Sequence, residues 1–274
     1  MILEIVCISG PFAVQLAHLA DLELGQGPEA VDVRAAQAVP ETSIGGAGAD
    51  ERDEVDLRLA LDKNGDAKGS LTVLLRGREA QELAEAFVRI VGPERDRALR
   101  GVALAWVPFA NVDSVQLSST EGSWQVAVRA ELSATGFAQP ETKDKNAAWV
   151  LPGMEPLHFV FPRAFSMTLG SAYARGGARE NALAISSSAL YHVRRRTELP
   201  PGAQVVKLPG PLAVKNLFLA ERKVSVNGQV VEEDFTLALP TGTVPKEQYG
   251  AFVQDIAKTD DAFLFGIRVK PPAP

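Results

Sequence analysis

Apolar and polar residues alternate from Val55 to Leu61: Val55, Leu57, Leu59 and Leu61 fall on one side, Asp56 and Arg58 on the other. A period of two is that of a half-buried strand. Asn64-Gly65 follows, and Leu71, Val73 and Leu75 return with Thr72 and Arg76 opposed, so the stretch reads as a hairpin whose turn uses the positive φ that Asn-Gly tolerates. The period then changes. Ala80, Leu83, Ala84, Phe87, Val88 and Val91 recur at helical spacing, which predicts an amphipathic helix stopped by Gly92-Pro93. On its wet side Arg78 with Glu82 and Glu85 with Arg89 form i,i+4 pairs, each worth only ~0.3 kcal/mol.

Strands resume with Trp124, Val126, Val128, Ala130 and Leu132 facing inward and Gln125, Arg129 and Glu131 outward, after a partner around 112–117. Trp124 reads as a core anchor. Leu183, Ile185, Ala189, Tyr191 and Val193 alternate through a serine-rich strand, Asn227-Gly228 repeats the hairpin signal, and Phe235, Leu237 and Leu239 make a further strand. Pro245 opens a helix with Tyr249, Phe252, Val253, Ile256 and Ala257 on one stripe, and Phe263, Phe265, Ile267 and Val269 form a last strand. Many strands, two amphipathic helices and frequent turns predict a mainly β chain of β-sandwich-like modules, α+β overall, rather than alternating βαβ units.

Two weak segments divide the chain. Residues 25–56 are turn-rich with Gly45-Gly46-Ala47-Gly48 inside them, and from Glu29 to Asp66 ten acidic side chains face four basic ones, the composition of a connector. Residues 139–146, with Pro140 and three consecutive charges, read as an exposed loop. The expected organisation is a leader or linker over 1–30, a hairpin-plus-helix β-rich module over 31–140, and a second β-rich module over 141–274 that ends in a helix and a strand.

Composition narrows the chemistry. The 274 residues are 46% hydrophobic and 23% charged, enough apolar content for real cores and too much for disorder. With 28 Lys and Arg against 34 Asp and Glu the formal charge is −6, which argues against a nucleic-acid partner. Cys7 is the single cysteine, so no internal disulfide and no Cys/His zinc cluster is expected. Residues 1–8 are apolar, but Glu4 interrupts them and no Lys or Arg precedes them, so a secretory n-region is missing. Val6 is too large for lipoprotein cleavage before Cys7. No window approaches the ~20 apolar residues of a spanning helix, and the chain reads as soluble, its start as a strand or loop cut from something longer.

Each candidate site has a plainer structural explanation. Asp62, Asn64 and Asp66 have calcium-loop spacing, yet Ala67 stands where such a loop needs Gly and Val73 where it needs a bidentate Glu, so a hairpin turn is the reading. Arg194-Arg195-Arg196 is the only dense basic run; it lies near a strand end before Pro200 and reads as charge guarding an edge, with an anionic partner as the alternative. His18, His158 and His192 have no metal-ligand spacing. The apolar surroundings of Cys7 keep a thiol protonated and inert. Trp106, Trp124 and Trp149 are scattered rather than clustered as a stacking platform. No GxSxG, GxxxxGK[ST] or GxGxxG motif occurs, and no metal or cofactor is expected.

The order of segments resembles a known family. The hairpin with DKNGDAKGSLTVLLRG, the helix after it, the turn TELPPGAQVVKLPGP with Leu199-Pro200-Pro201-Gly202 and Leu208-Pro209, and the closing helix with Tyr249 and Phe252 resemble the C-terminal region of bacterial transglutaminase-like proteins over roughly residues 31–269. In that family the papain-like Cys, His and Asp belong to a core domain upstream of this region, so the resemblance carries over no catalytic residue. It implies a noncatalytic β-sandwich-type accessory module for domain packing or protein contact, beside a transglutaminase-like domain or with another protein or peptide as partner. Residues 1–27 would be the chain leaving the core. An exported parent implies a periplasmic or cell-envelope location. The rival readings are a free-standing cysteine hydrolase or acyltransferase using Cys7 with one of the histidines, and a peptide- or glycan-binding sandwich.

Overall fold

A computed structural model describes residues 53–107, 110–119, 125–142, 148–152, 169–174, 179–185, 189–264 and 266–272. β1 (Asp53–Leu61) and β2 (Ala67–Arg76) form the first hairpin, and the alternate residues Val55, Leu57, Leu59, Leu71, Val73 and Leu75 are buried as their period requires. α1 (Gly77–Arg89) lays Ala80, Leu83 and Phe87 on the sheet. Its predicted stripe is too wide, however: Val88 is 81% and Val91 75% exposed. Val88 lies about 100° around the helix from Phe87, and Val91 falls beyond the helix end.

α1 ends as expected just before Gly92-Pro93, with Ile90 and Val91 extended, but a second, unexpected helix, α2 (Gly92–Trp106), begins there. Gly92 takes φ 63°, which a side chain would strain, and Pro93 brings the φ that a first helical turn needs. Leu99, Val102, Ala103 and Trp106 form its buried stripe. β3 (Asn111–Ser119) and β4 (Gln125–Ala134) complete the first part of the chain, and Val126, Val128, Ala130 and Leu132 are buried on β4.

The remaining elements are β5 (Gln139–Pro140), β6 (Trp149–Leu151), α3 (Leu169–Tyr173), β7 (Leu183–Ile185), β8 (Ala189–Glu198), β9 (Gln204–Lys207), β10 (Leu212–Val214), β11 (Leu219–Asn227), β12 (Val230–Leu239), β13 (Gly242–Val244), a 3₁₀ turn (Lys246–Gln248), α4 (Tyr249–Leu264) and β14 (Ile267–Lys270). Eight strands make one sheet in the order β10-β11-β12-β8-β1-β2-β4-β3. All its neighbours are antiparallel except β1 and β8, which run parallel at the centre. The expected boundary near residue 140 thus separates two sets of four strands within one sheet.

One face of that sheet is covered. α1 and α2 pack on β2, β3 and β4, with Trp106 meeting Tyr191 of β8 edge-on at 5.7 Å. On the other half α4 brings Phe263 to Phe235 at 4.2 Å and Phe252 to Phe218 at 5.8 Å. A small sheet, β5-β6-β14-β9, contributes the buried Leu151, Ile267 and Val269. The covering layer therefore mixes helices with strands, and the chain is mainly β and α+β. No described helix is long and apolar enough to cross a membrane. The opposite face of the large sheet carries the exposed side chains Arg58, Arg129, Glu131, Arg194, Arg196 and Glu232.

Candidate functional site

Strand parity divides the arginine run between two faces. Along β8, Tyr191, Val193, Arg195 and Thr197 are buried, whereas Arg194, Arg196 and Glu198 are exposed. The edge-guarding expectation is overturned: β8 lies between β12 and β1, in the interior of the sheet. A strand with this much charge is held there because its neighbour β12 places a carboxylate opposite each of its arginines, Glu232, Glu233 and Asp234 standing against Arg196, Arg195 and Arg194.

On the buried face one carboxylate serves two guanidiniums. Arg195 donates through Nε to Glu233 and through Nη1 to the Pro152 carbonyl at 2.8 Å. Arg222 of β11 donates through Nη2 to Glu233 Oε1 at 2.5 Å and through Nη1 to the Ala262 carbonyl, with its guanidinium 5.8 Å from the Phe263 ring centre. All three side chains are buried. Two cations against one anion leave a surplus positive charge, and Ala262 lies in the last turn of α4, where the helix presents its negative dipole end and free carbonyls. The cluster is a clasp joining β8, β11 and β12 to α4 and to the chain after β6. Sequence reasoning missed it, although the signal was present: Glu233 shares parity with the buried Val231 and Phe235, and Arg195 with Val193 and Thr197.

The open face is ordered in rows that run across the strands. One row reads Arg129, Thr72, Asp56, Arg194, Asp234, Lys223 from β4 to β11, so its charges alternate in sign. The adjacent row reads Glu131, Ser70, Arg58, Arg196, Glu232, Ser225, and it sets two arginines side by side. Arg58 holds Asp56 through Nε and Nη2, both at 3.0 Å, while Arg196 reaches Glu232 only at 3.8 Å. His192 Nε2 lies 3.0 Å from Asp234 Oδ2. The hydrogen bonds from Arg58, with the added charge of Arg58 and Arg194, hold the Asp56 carboxyl below the usual carboxylate range against the opposing effect of partial burial.

Two hollows lie on these rows. A groove of about 640 Å³ spans β1, β8, β12 and β11, and a shallower one of about 290 Å³ spans β1, β2, β4 and β8. Both are lined by Arg58 and Arg196.

The other candidates lie apart from this face. Asp62 accepts from the backbone N–H of Asn64 at 2.8 Å and of Asp66 at 3.1 Å, and Asp66 accepts from the Gly136 N–H at 2.7 Å, so these carboxylates organise the first hairpin turn and fasten it to the loop after β4. Trp106 and Trp149 are buried in the core. Cys7, His18, His158, Trp124 and Phe265 lie outside the described residues, as do the side chains of Arg78 and Glu82. No protein-family profile matches the sequence, and comparison with curated proteins yields no significant match.

Proposed function

We propose that the chain is a noncatalytic, β-rich accessory module of a transglutaminase-like protein that packs on a neighbouring domain or contacts a protein partner. The observation that carries the reading is the sheet itself: one face is occupied by helices and a small sheet, while the other presents ordered rows of charge and two hollows to solvent. The order of sequence segments, from the first hairpin through the Leu199-Pro200-Pro201-Gly202 turn to the closing helix, supports the family assignment. For an exported parent the setting is the periplasm or cell envelope.

The test is association in trans. The chain is titrated with a purified transglutaminase-like core domain and binding is followed by calorimetry, with alkylation of Cys7 measured at several pH values alongside. Saturable binding and an ordinary thiol profile are expected. No binding, together with a Cys7 thiol reacting as though its pKa were strongly depressed, would overturn the reading in favour of a cysteine hydrolase.

A further inference from the structure

The two rows on the open face differ in one respect that folding alone does not favour. In the alternating row each charge faces an opposite charge or a threonine, which is the stabilising arrangement for cross-strand neighbours. In the next row Arg58 and Arg196 are register partners across the parallel β1–β8 pair, and like charges directly opposite are destabilising. Their side chains are 68% and 56% exposed, so water screens the repulsion without removing it. Donors remain open between them. Arg58 Nη1 and the Arg196 guanidinium make no hydrogen bond to the described residues, and Ser70 and Ser225 stand on the same row with their hydroxyls. Arg58 and Arg196 are the two residues that line both hollows.

We propose that the Arg58–Arg196 junction binds the carboxylates of an extended peptide segment of a partner protein, one with two acidic residues at i and i+2, which share a face, and a basic residue two positions further out on each side. Two neighbouring guanidiniums suit paired carboxylates, each able to take charge-assisted hydrogen bonds. Acids on either side, Glu131 and Glu232 in the same row, repel a uniform polyanion and select a ligand whose charge reverses outward. From β4 to β12 is four strand spacings, about 19 Å, close to the roughly 20 Å between the first and seventh residues of an extended peptide, whose alternate side chains face the sheet. This deepens the protein-contact reading above and rests on it.

The probe is a fluorescein-labelled peptide KGEGEGK, whose charged side chains share one face when extended, titrated by polarisation into the full chain at low salt, with KGQGQGK and an oligothymidine as controls. Saturable binding of KGEGEGK, at least about fivefold tighter than KGQGQGK, is expected. The double variant Arg58→Gln, Arg196→Gln should lose about tenfold, and Arg194→Gln in the alternating row less than about threefold. Amide shift changes in the unaltered protein should centre on β1 and β8, a readout that does not depend on the variants. Absence of saturation, an equal loss in Arg194→Gln, shifts centred elsewhere, or tighter binding of the oligothymidine would each overturn the assignment. A chain that binds the transglutaminase-like core but ignores the peptide overturns this site alone. A chain that binds the peptide but not the core overturns the family reading instead.

Discussion

Arg195 and Arg196 are neighbours in the chain and lie in opposite physical regimes. Arg195 is buried with Arg222 around Glu233, and each guanidinium also meets a backbone carbonyl, Pro152 for one and Ala262 for the other. Arg196 stands in water beside Arg58 with one loose carboxylate contact at 3.8 Å. Inside, a charge persists only if every nearby group answers it, because desolvation is opposed by nothing else. Outside, solvent makes both attraction and repulsion small, so the sheet tolerates a like-charged pair and can use it. The buried charges define the fold, and the exposed ones are free to serve recognition.

The comparison breaks most visibly at Glu233. Glu233→Gln leaves two buried guanidiniums without an anion and should lower stability by about 3–5 kcal/mol, read as a fall in the urea midpoint at unchanged slope. Replacing the whole clasp at once, Arg195→Met with Arg222→Met and Glu233→Leu, should recover most or all of that loss, since apolar groups of similar volume need no partner. A triple variant as unstable as Glu233→Gln would show that the clasp contributes beyond charge balance. On the open face the effects shrink. Arg194→Gln interrupts the alternating row between Asp56 and Asp234 and should lose about 0.5 kcal/mol, whereas Arg196→Gln relieves Arg58 and should lose nothing or gain a few tenths. Equal losses would erase the distinction between the rows.

The smallest effect concerns acid. Because the Asp56 carboxyl is held below its ordinary value in the folded state, its contribution is present above the unfolded value and disappears as pH falls through the folded one. Stability should therefore fall below about pH 4, and Asp56→Asn should fall less steeply over that range.

Much of the fold was legible because its strands alternate strictly. Val55 to Leu61, Val126 to Leu132 and Phe235 to Leu239 bury the residues that their parity assigns. α2 was hidden because Gly92-Pro93 reads as a stop when taken alone; only the spacing of Leu99, Val102, Ala103 and Trp106 beyond it reveals a fresh start. The open face was less legible. That Arg194 and Arg196 share a side follows from β8 alone, but that Arg58 stands opposite Arg196 depends on a pairing between distant segments that no local pattern encodes. The clasp combined both problems: the parity of Glu233 marks it as inward, yet its partner Arg222 is found only once the register of β11 and β12 is known.

That central parallel seam governs how the molecule is assembled. Each set of four strands closes largely through near-neighbour antiparallel pairings, β1 with β2 and β3 with β4 in one, β11 with β12 in the other. Joining β1 to β8 requires partners about 140 residues apart, from Asp53 to Tyr191, to find one another. Loop-closure entropy weights such a contact toward the late, slow part of folding. Until the seam zips, β1 and β8 each present a bare edge lined with hydrogen-bonding backbone, so the interval before closure is when the chain is most exposed to pairing with a neighbour of its own kind.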